Sequence, residues 1–177
     1  MNIIYTLIKQ MINKIHNLSK NEFIEVFGNV FENTSWIAEK LYTQKPFKDF
    51  DDLSEKILKI FENTDKEKKL KILNSHPNLA DKTKIGLLTP DSNKEQNTVD
   101  LDKCSEEEFN EFNNLNKKYK EKFGFPFIYA VKGKSKIEIL KNFKERVSCD
   151  INVEFIEAIK QVKKIASLRI NEINKND

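Results

Sequence analysis

The scarcity of residues that interrupt helices constrains the fold of this chain more than any other feature. The 177 residues include four glycines and four prolines, whereas average usage would make these two types about 12% of a chain. Collagen-like repeats, β-sandwiches and glycine-rich nucleotide-binding loops need more turns than this, so they are poor candidates. We expect few turns, long helices and one domain, since a domain takes about 150 residues.

Five Ser/Thr-x-x-Glu sequences predict where helices begin. In this capping box the hydroxyl accepts from the third helical N–H, and the Glu side chain accepts from the N–H of the cap. Apolar residues then recur at spacings of three and four, which is typical of a helix with one buried face. Because each such face needs a partner, we predict an all-α, compact single-domain bundle of about eight helices over residues 1–177. The five boxes are Ser19–Glu22, Thr64–Glu67, Ser92–Glu95, Ser105–Glu108 and Ser135–Glu138, and the expected core positions include Phe23, Val26, Phe27, Ile137, Leu140, Ile156, Ile159, Val162, Ile165, Ala166 and Ile170.

Charge and cysteine content limit the compartment and the partners. The 31 basic and 28 acidic residues leave a net charge of +3, too small and too mixed to favour nucleic acid or a membrane surface. The apolar run at residues 1–15 is interrupted by Lys9 and Lys14, so it does not resemble a secretory signal, and no run approaches the roughly 20 residues of a membrane span. Cys104 and Cys149 have no Cys or His at metal-binding spacing. We therefore expect a cytoplasmic protein with reduced thiols, no metal, no nucleic acid partner and no membrane partner.

His76 is the first candidate for catalysis. Pro77 follows it, and the residue before a proline is pushed out of the helical region, so His76 is expected to end a helix. A helix carboxyl end favours the protonated imidazole, which is a good proton donor at neutral pH. A lone His before Pro is more often a turn residue, so both alternatives stay open on this residue alone. His16 lies in the first amphipathic stretch and is expected to be structural.

Two segments break the helical pattern. Residues 76–91 contain Gly86 and Pro90 in addition to Pro77 and predict a long ordered loop. Residues 124–131 predict an extended apolar strip, which either crosses the core or binds a flat polar molecule through its backbone groups. Such irregular stretches in a helical domain are where functional sites tend to lie.

Polar residues at two further places have both a functional and a structural explanation. A capping box explains Ser92 and Glu95 without any function, whereas a helix N-terminus with Glu95 and Gln96 at its rim could bind an anionic ligand. Arg169 lies on the apolar stripe of the last helix, where a guanidinium needs an acidic partner or an anionic ligand. Arg146 closes a helix beside Glu145, which offers it a simple partner.

Several motifs in a fixed order are similar to those of one known family. From about residue 17 to residue 172 the chain resembles the OHCU decarboxylases, the 2-oxo-4-hydroxy-4-carboxy-5-ureidoimidazoline decarboxylases of the urate-to-allantoin pathway. The resemblance implies an all-helical homodimer that decarboxylates OHCU to (S)-allantoin with no metal or organic cofactor. The motifs are Phe27-Gly28 with Phe31-Glu32 and Ser35-Trp36-Ile37-Ala38-Glu39, His76-Pro77-Asn78-Leu79-Ala80, Ser92-x-x-Glu95-Gln96, Phe123-Gly124-Phe125-Pro126-Phe127-Ile128, and Ile165-Ala166-x-Leu168-Arg169.

The resemblance also implies roles for individual residues. His76 matches the family's proton donor, and Glu95 matches the acidic member of its catalytic Glu-Gln pair. Asn78 departs from the family, which usually has Asp there, so a charge beside the catalytic His is lost. The alternative is a non-catalytic helical module that binds a purine-like ligand or a protein partner and needs neither His76 nor Glu95. The implied substrate-binding residues are Pro77, Ser92, Glu95, Gln96, Phe127, Ile128, Tyr129, Ala130, Val131 and Arg169.

Overall fold

The structure is a computed structural model that describes residues 12–80 and 88–176. These residues form nine α-helices, one short 3-10 turn and irregular connections, with no strand among them. The predicted all-α class and helix number are therefore confirmed. The elements are α1 (residues 12–17), α2 (Lys20–Phe27), α3 (Ser35–Tyr42), α4 (Phe50–Glu62), α5 (Lys66–Ser75), α6 (Pro90–Asn97), the 3-10 turn (Leu101–Lys103), α7 (Glu106–Phe123), α8 (Lys136–Val147) and α9 (Ile151–Asn176).

The helices divide between two compact units. The first unit runs to Lys69 and includes the chain again from Ile165, and the second spans Leu70–Lys164. Helices α5 and α9 contribute residues to both. The expectation of a single helical domain over residues 1–177 stays a prediction.

Aromatic side chains fill the core of the first unit. Helix α2 packs against α3, and α3 packs against α4. The rings of Phe23 and Phe27 lie 4.6 Å apart, and Phe31 stacks on Phe61 at 4.7 Å between ring centroids. All four side chains are buried. Because each aromatic ring removes a large apolar area from water, this cluster is a main source of stability for the unit.

Three of the five predicted capping boxes are present, at the N-termini of α2, α7 and α8, with the pairs Ser19–Glu22, Ser105–Glu108 and Ser135–Glu138. The prediction of a box at Thr64–Glu67 is wrong. Asp65 Oδ1 accepts from the backbone N–H of Lys68 at 2.8 Å, so Asp65 caps α5. The Thr64 hydroxyl instead donates to Ile60 O in α4, at 2.8 Å. Asp is as good an N-cap as Ser and better than Thr, which is why the neighbouring residue takes the position.

Three predicted core positions are exposed. Val26, Ile137 and Ile156 all face solvent, and Ile137 is 79% exposed. In α9 the buried face passes through Glu154, Ala158 and Val162, at spacings of four. A residue two places away from Glu154 and from Ala158 lies on the opposite side of a helix, which accounts for Ile156. Along the described part of the chain, no helix combines the length and apolarity needed to cross a membrane.

Candidate active site

His76 is held at the carboxyl end of α5 by two hydrogen bonds. Its backbone N–H donates to Leu73 O at 3.2 Å, and its ring Nδ1 lies 2.8 Å from Ile72 O. The helix ends before Pro77, as predicted. A carbonyl oxygen can only accept, so Nδ1 carries a hydrogen in this contact. The hydrogen on Nδ1 is therefore committed to Ile72 O.

The turn that follows His76 is bound by the side-chain amide of Gln96. Gln96 Nε2 donates to Asn78 O at 3.4 Å, and Gln96 Oε1 accepts from Ala80 N at 3.0 Å. Leu79 and Ala80 are buried. Helix α6 is thus anchored to the turn that follows the His76-Pro77 pair, through a side chain that is a predicted site residue.

The start of α6 differs from the prediction. The helix begins at Pro90 with Thr89 as its N-cap, and Thr89 Oγ1 accepts from Ser92 N at 3.3 Å. The predicted capping box at Ser92 and Glu95 is therefore wrong, because Ser92 is buried in the first turn. A proline at the first helical position, preceded by Thr, is a known helix start and was present in the sequence. The structural explanation for Glu95 as a capping residue no longer applies.

The predicted loop of residues 76–91 is described in part. Its first residues form the turn bound by Gln96, and its last ones enter α6 at Pro90. Residues 81–87, with Gly86, lie outside the described residues.

One face of α6 carries the three predicted site residues of this helix. Ser92, Glu95 and Gln96 are spaced by three and four residues, which places them together on one side of a helix. Ser92 and Gln96 are buried, and Glu95 is half-buried. Gln96 contacts the turn after His76, and Glu95 is the residue that immediately precedes Gln96 in the helix.

The strip at residues 124–131 is irregular and pairs with no strand in the described chain. Phe127, Ile128, Ala130 and Val131 are buried, and Tyr129 is half-buried. Ile128 O accepts from Arg146 Nη1 at 2.8 Å, and Ala130 N donates to Gln161 Oε1 at 3.0 Å. The strip therefore crosses the core of the second unit, and side chains bind two of its backbone groups. Its contact with a substrate stays a prediction.

Arg146 belongs to a buried network that sequence analysis missed. Its partner is Glu154 and not Glu145: Arg146 Nε lies 3.0 Å from Glu154 Oε1 and 3.2 Å from Oε2, and Nη2 binds the same carboxylate. The Tyr119 hydroxyl also donates to Glu154. The guanidinium lies 4.6 Å above the Phe127 ring, so the network supports the strip.

Tyr119 should make the stability of the protein fall at alkaline pH. Burial raises the pKa of Tyr119 well above its ordinary value of 10.0, and the hydrogen bond to Glu154 raises it further. Above about pH 10 the unfolded phenol ionises while the folded one keeps its proton, so the free energy of unfolding decreases as pH rises. Urea unfolding at neutral pH and at about pH 11 measures this decrease. The Tyr119→Phe protein should show a smaller decrease, and a decrease equal to that of the wild type would contradict the assignment.

Arg169 pairs with an acidic residue of the first unit. Its Nη1 lies 2.8 Å from Glu32 Oε2 and donates to Asn29 O at 2.9 Å. Arg169 and Glu32 are both buried. Glu32 is therefore the acidic partner that the sequence could not identify, 137 residues away along the chain. The contact of Arg169 with a substrate stays a prediction.

Arg169→Lys tests that prediction. Lysine keeps the charge but loses the planar fork that binds two oxygens at once. If Arg169 contacts the substrate, apparent affinity and turnover should both fall in steady-state kinetics. A variant with wild-type kinetics and a lowered melting temperature would show that Arg169 serves only the pair with Glu32.

The other side chains that could bind a metal have structural roles or form no cluster among the described residues. His16 Nε2 accepts from Phe47 N at 2.8 Å, in agreement with its expected structural role. Cys104 and Cys149 form no disulfide. Within residues 12–80 and 88–176, no three side chains of His, Cys, Asp or Glu lie together as metal ligands.

A comparison against known families identifies one family for this chain. The OHCU decarboxylase model matches residues 16–171. The chain belongs to the OHCU decarboxylase family. The predicted family is thereby confirmed, and so is the predicted enzyme class at the level of the family, because decarboxylases are carboxy-lyases.

Individual members of the OHCU decarboxylase family, and related proteins, are similar over most of this chain. It is 33% identical over 159 residues to the 2-oxo-4-hydroxy-4-carboxy-5-ureidoimidazoline decarboxylase of Haloferax volcanii. The aligned region covers 90% of this chain and 93% of that protein. This chain is 40% identical over 160 residues to the uric acid degradation bifunctional protein of Bacillus sp. (strain TB-90), covering 90% of this chain. The chain spans 31% of the length of that bifunctional relative.

Two solved structures share the fold. A structure of (S)-allantoin synthase superposes with a TM-score of 0.72 at 25% identity, covering 92% of this chain and 53% of that one. A structure of OHCU decarboxylase in the presence of (S)-allantoin gives a TM-score of 0.67 at 27% identity, covering 81% of this chain and 94% of that one.

Proposed function

We propose that this chain decarboxylates OHCU to (S)-allantoin without a cofactor, with His76 as the proton donor and Glu95 as its catalytic partner. The observation that carries the proposal is the bidentate contact of Gln96 with the turn after His76. This contact joins α6, the helix that carries Glu95, to the turn that follows the His76-Pro77 pair, in a chain of the OHCU decarboxylase family.

The substrate supplies its own electron sink. OHCU has a carboxylate and a hydroxyl on one ring carbon, next to a ring carbon in a C=N bond. When the bond to the carboxylate breaks, CO2 leaves, the electron pair forms a C=C bond between the two ring carbons, and the C=N electron pair moves to the ring nitrogen. A pyridoxal or thiamine cofactor, which provides such a sink in other decarboxylases, has no task here. The protein must orient the carboxylate, polarise the hydroxyl and protonate the neighbouring carbon on one face.

His76 and Glu95 fit two of the proton transfers that the reaction needs. We assign delivery of the proton to His76 Nε2, because Nδ1 is engaged with Ile72 O. Glu95 accepts the hydroxyl proton as the C–O bond becomes C=O. The proton given by His76 balances the one that Glu95 accepts. The ring nitrogen that receives the C=N electron pair takes a further proton from solvent, so one proton net is taken up for each CO2 released. Delivery from one side gives a single enantiomer.

The remaining predicted residues are proposed to position the substrate. Pro77 adjoins His76, and Ser92 and Gln96 share the face of α6 with Glu95. Phe127, Ile128, Tyr129, Ala130 and Val131 are proposed to contact the substrate from the strip, as the family resemblance implies. Since Gln96 uses both ends of its amide on the turn, we expect it to act mainly by holding that turn.

Incubation with freshly generated OHCU tests the activity. We expect faster loss of the ultraviolet absorbance of OHCU than in buffer, an excess of (S)-allantoin in the product, and full activity in the presence of a chelator. His76→Asn protein is the matched control. A rate equal to that in buffer, a racemic product, or dependence on added metal or pyridoxal would contradict the proposal. Binding of allantoin without turnover would favour the non-catalytic module.

We also propose that the active form is a homodimer, as the family resemblance implies, and that it is cytoplasmic, as its charge and cysteine content predict. Sedimentation should give about twice the chain mass of 20.8 kDa. A monomer at all concentrations would contradict this.

A further inference from the structure

We propose that Asn116, in the middle of α7, is a positioning residue for His76. The proposal rests on the proposed function, in which His76 donates the proton. Asn116 Nδ2 donates to Leu79 O at 2.9 Å, and Leu79 lies three residues after His76. Neither the sequence motifs nor the family resemblance had singled out Asn116.

The segment between His76 and Ala80 is held mainly by side chains. Pro77 has no N–H to donate, so its backbone offers no anchor of that kind. Asn78 O and Ala80 N bind Gln96, and Leu79 O binds Asn116. Ala80 has φ of 54°, in the left-handed region, which costs free energy for a residue with a Cβ. Its conformation therefore depends on contacts from α6 and α7.

Asn116 is energetically unfavourable at its buried position. Its side chain is 5% exposed, and its Oδ1 is buried with no hydrogen-bond partner among the described residues. A buried polar atom without a partner destabilises the folded state, so an apolar side chain of the same size would suit the core better. Only the Nδ2 half of the amide makes a described contact, and that contact is with Leu79 O.

Contacts with residues before and after His76 in the chain therefore fix the position of its ring. On one side Nδ1 is bound to Ile72 O, and on the other the backbone after Pro77 is clamped by Gln96 and Asn116. Loss of one clamp should let the turn shift and change the position of the ring. A displacement of about 1 Å at a catalytic group can cost on the order of a hundredfold in rate.

Asn116→Leu is the informative variant, since leucine keeps the volume and removes the amide. We expect kcat for OHCU to fall by about ten- to a hundredfold, with little change in KM and with a melting temperature close to that of the wild type. Asn114→Leu is the matched control because Asn114 is exposed on the other side of the same helix, and it should leave kcat unchanged. Leu115→Ala, a buried change in the same helix, should lower the melting temperature with a much smaller effect on kcat.

Nitrogen NMR of the imidazole rings supplies a readout that does not need activity. The chain has two histidines, so His16 in the first unit serves as an internal reference. In Asn116→Leu the His76 ring resonances should shift or broaden while those of His16 stay. If Asn116→Leu shows these shifts but the wild-type protein does not act on OHCU, the positioning role of Asn116 is supported and the proposed function is overturned. A folded Asn116→Leu protein with wild-type kcat and unchanged His76 resonances would overturn the clamp.

Discussion

Replacing His76 by Asn should lower kcat for OHCU decarboxylation by a factor of about a hundred or more, which is the usual loss when a positioned proton-transfer group is removed. Asn cannot deliver a proton, although its amide is polar and fits a buried turn. The fold should survive, because the turn after His76 is bound independently by Gln96 and Asn116. Turnover and melting temperature measured on the same preparation separate a lost proton donor from a lost fold.

Glu95→Ala should have a kinetic effect of similar size and a small effect on stability. Glu95 could have been a capping residue, but the cap of α6 is Thr89, so removing the Glu95 side chain removes no cap. Glu22→Ala is the matched control, since Glu22 completes a real capping box with Ser19. The control should lower the melting temperature and leave kcat unchanged. Wild-type kcat in either His76→Asn or Glu95→Ala would exclude that residue from catalysis.

Local sequence patterns predicted the helices well where one interpretation dominated. At Ser19, Ser105 and Ser135 a serine cap with its Glu preceded an amphipathic run, and the helices begin there. Near Thr64 a better N-cap lay one residue away, in Asp65. Near Ser92 a better helix start lay three residues away, in Thr89 followed by Pro90. These errors come from competition between neighbouring signals, which the four-residue motif alone does not weigh.

Only those site residues that have a chemical role and also belong to a sequence motif could be predicted. His76 before Pro77 and the Glu95-Gln96 pair are visible in the sequence, and Gln96 does contact the His76 turn. Asn116 and Gln161 were not predictable, because each binds a backbone group more than 30 residues away, a separation of 37 for Asn116. Such contacts leave no periodic trace in the sequence, since they depend on how distant segments pack.

The largest expected loss of stability comes from Glu154→Leu, at about 3–5 kcal/mol of the free energy of unfolding. Glu154 is 1% exposed and accepts from the Arg146 guanidinium and from the Tyr119 hydroxyl. Removing the carboxylate leaves a buried cation without compensation and a buried hydroxyl without its acceptor. Urea unfolding at neutral pH measures the loss. The matched control is Glu55→Leu in the exposed pair with Lys59, which should change stability little.

A second variant separates the destabilisation caused by an unpaired buried charge from the net contribution of the Tyr119, Arg146 and Glu154 network to the free energy of unfolding. In Tyr119→Phe/Arg146→Met/Glu154→Leu the charges and the hydroxyl are all replaced by apolar groups, so most of the stability lost in Glu154→Leu should return. The strip should not recover fully, because Arg146 also donates to Ile128 O and covers Phe127. We therefore expect the triple variant to be stable yet to decarboxylate OHCU more slowly. A triple variant as unstable as Glu154→Leu would show that the network contributes net stability, while one with wild-type kcat would show that the strip needs no support from Arg146.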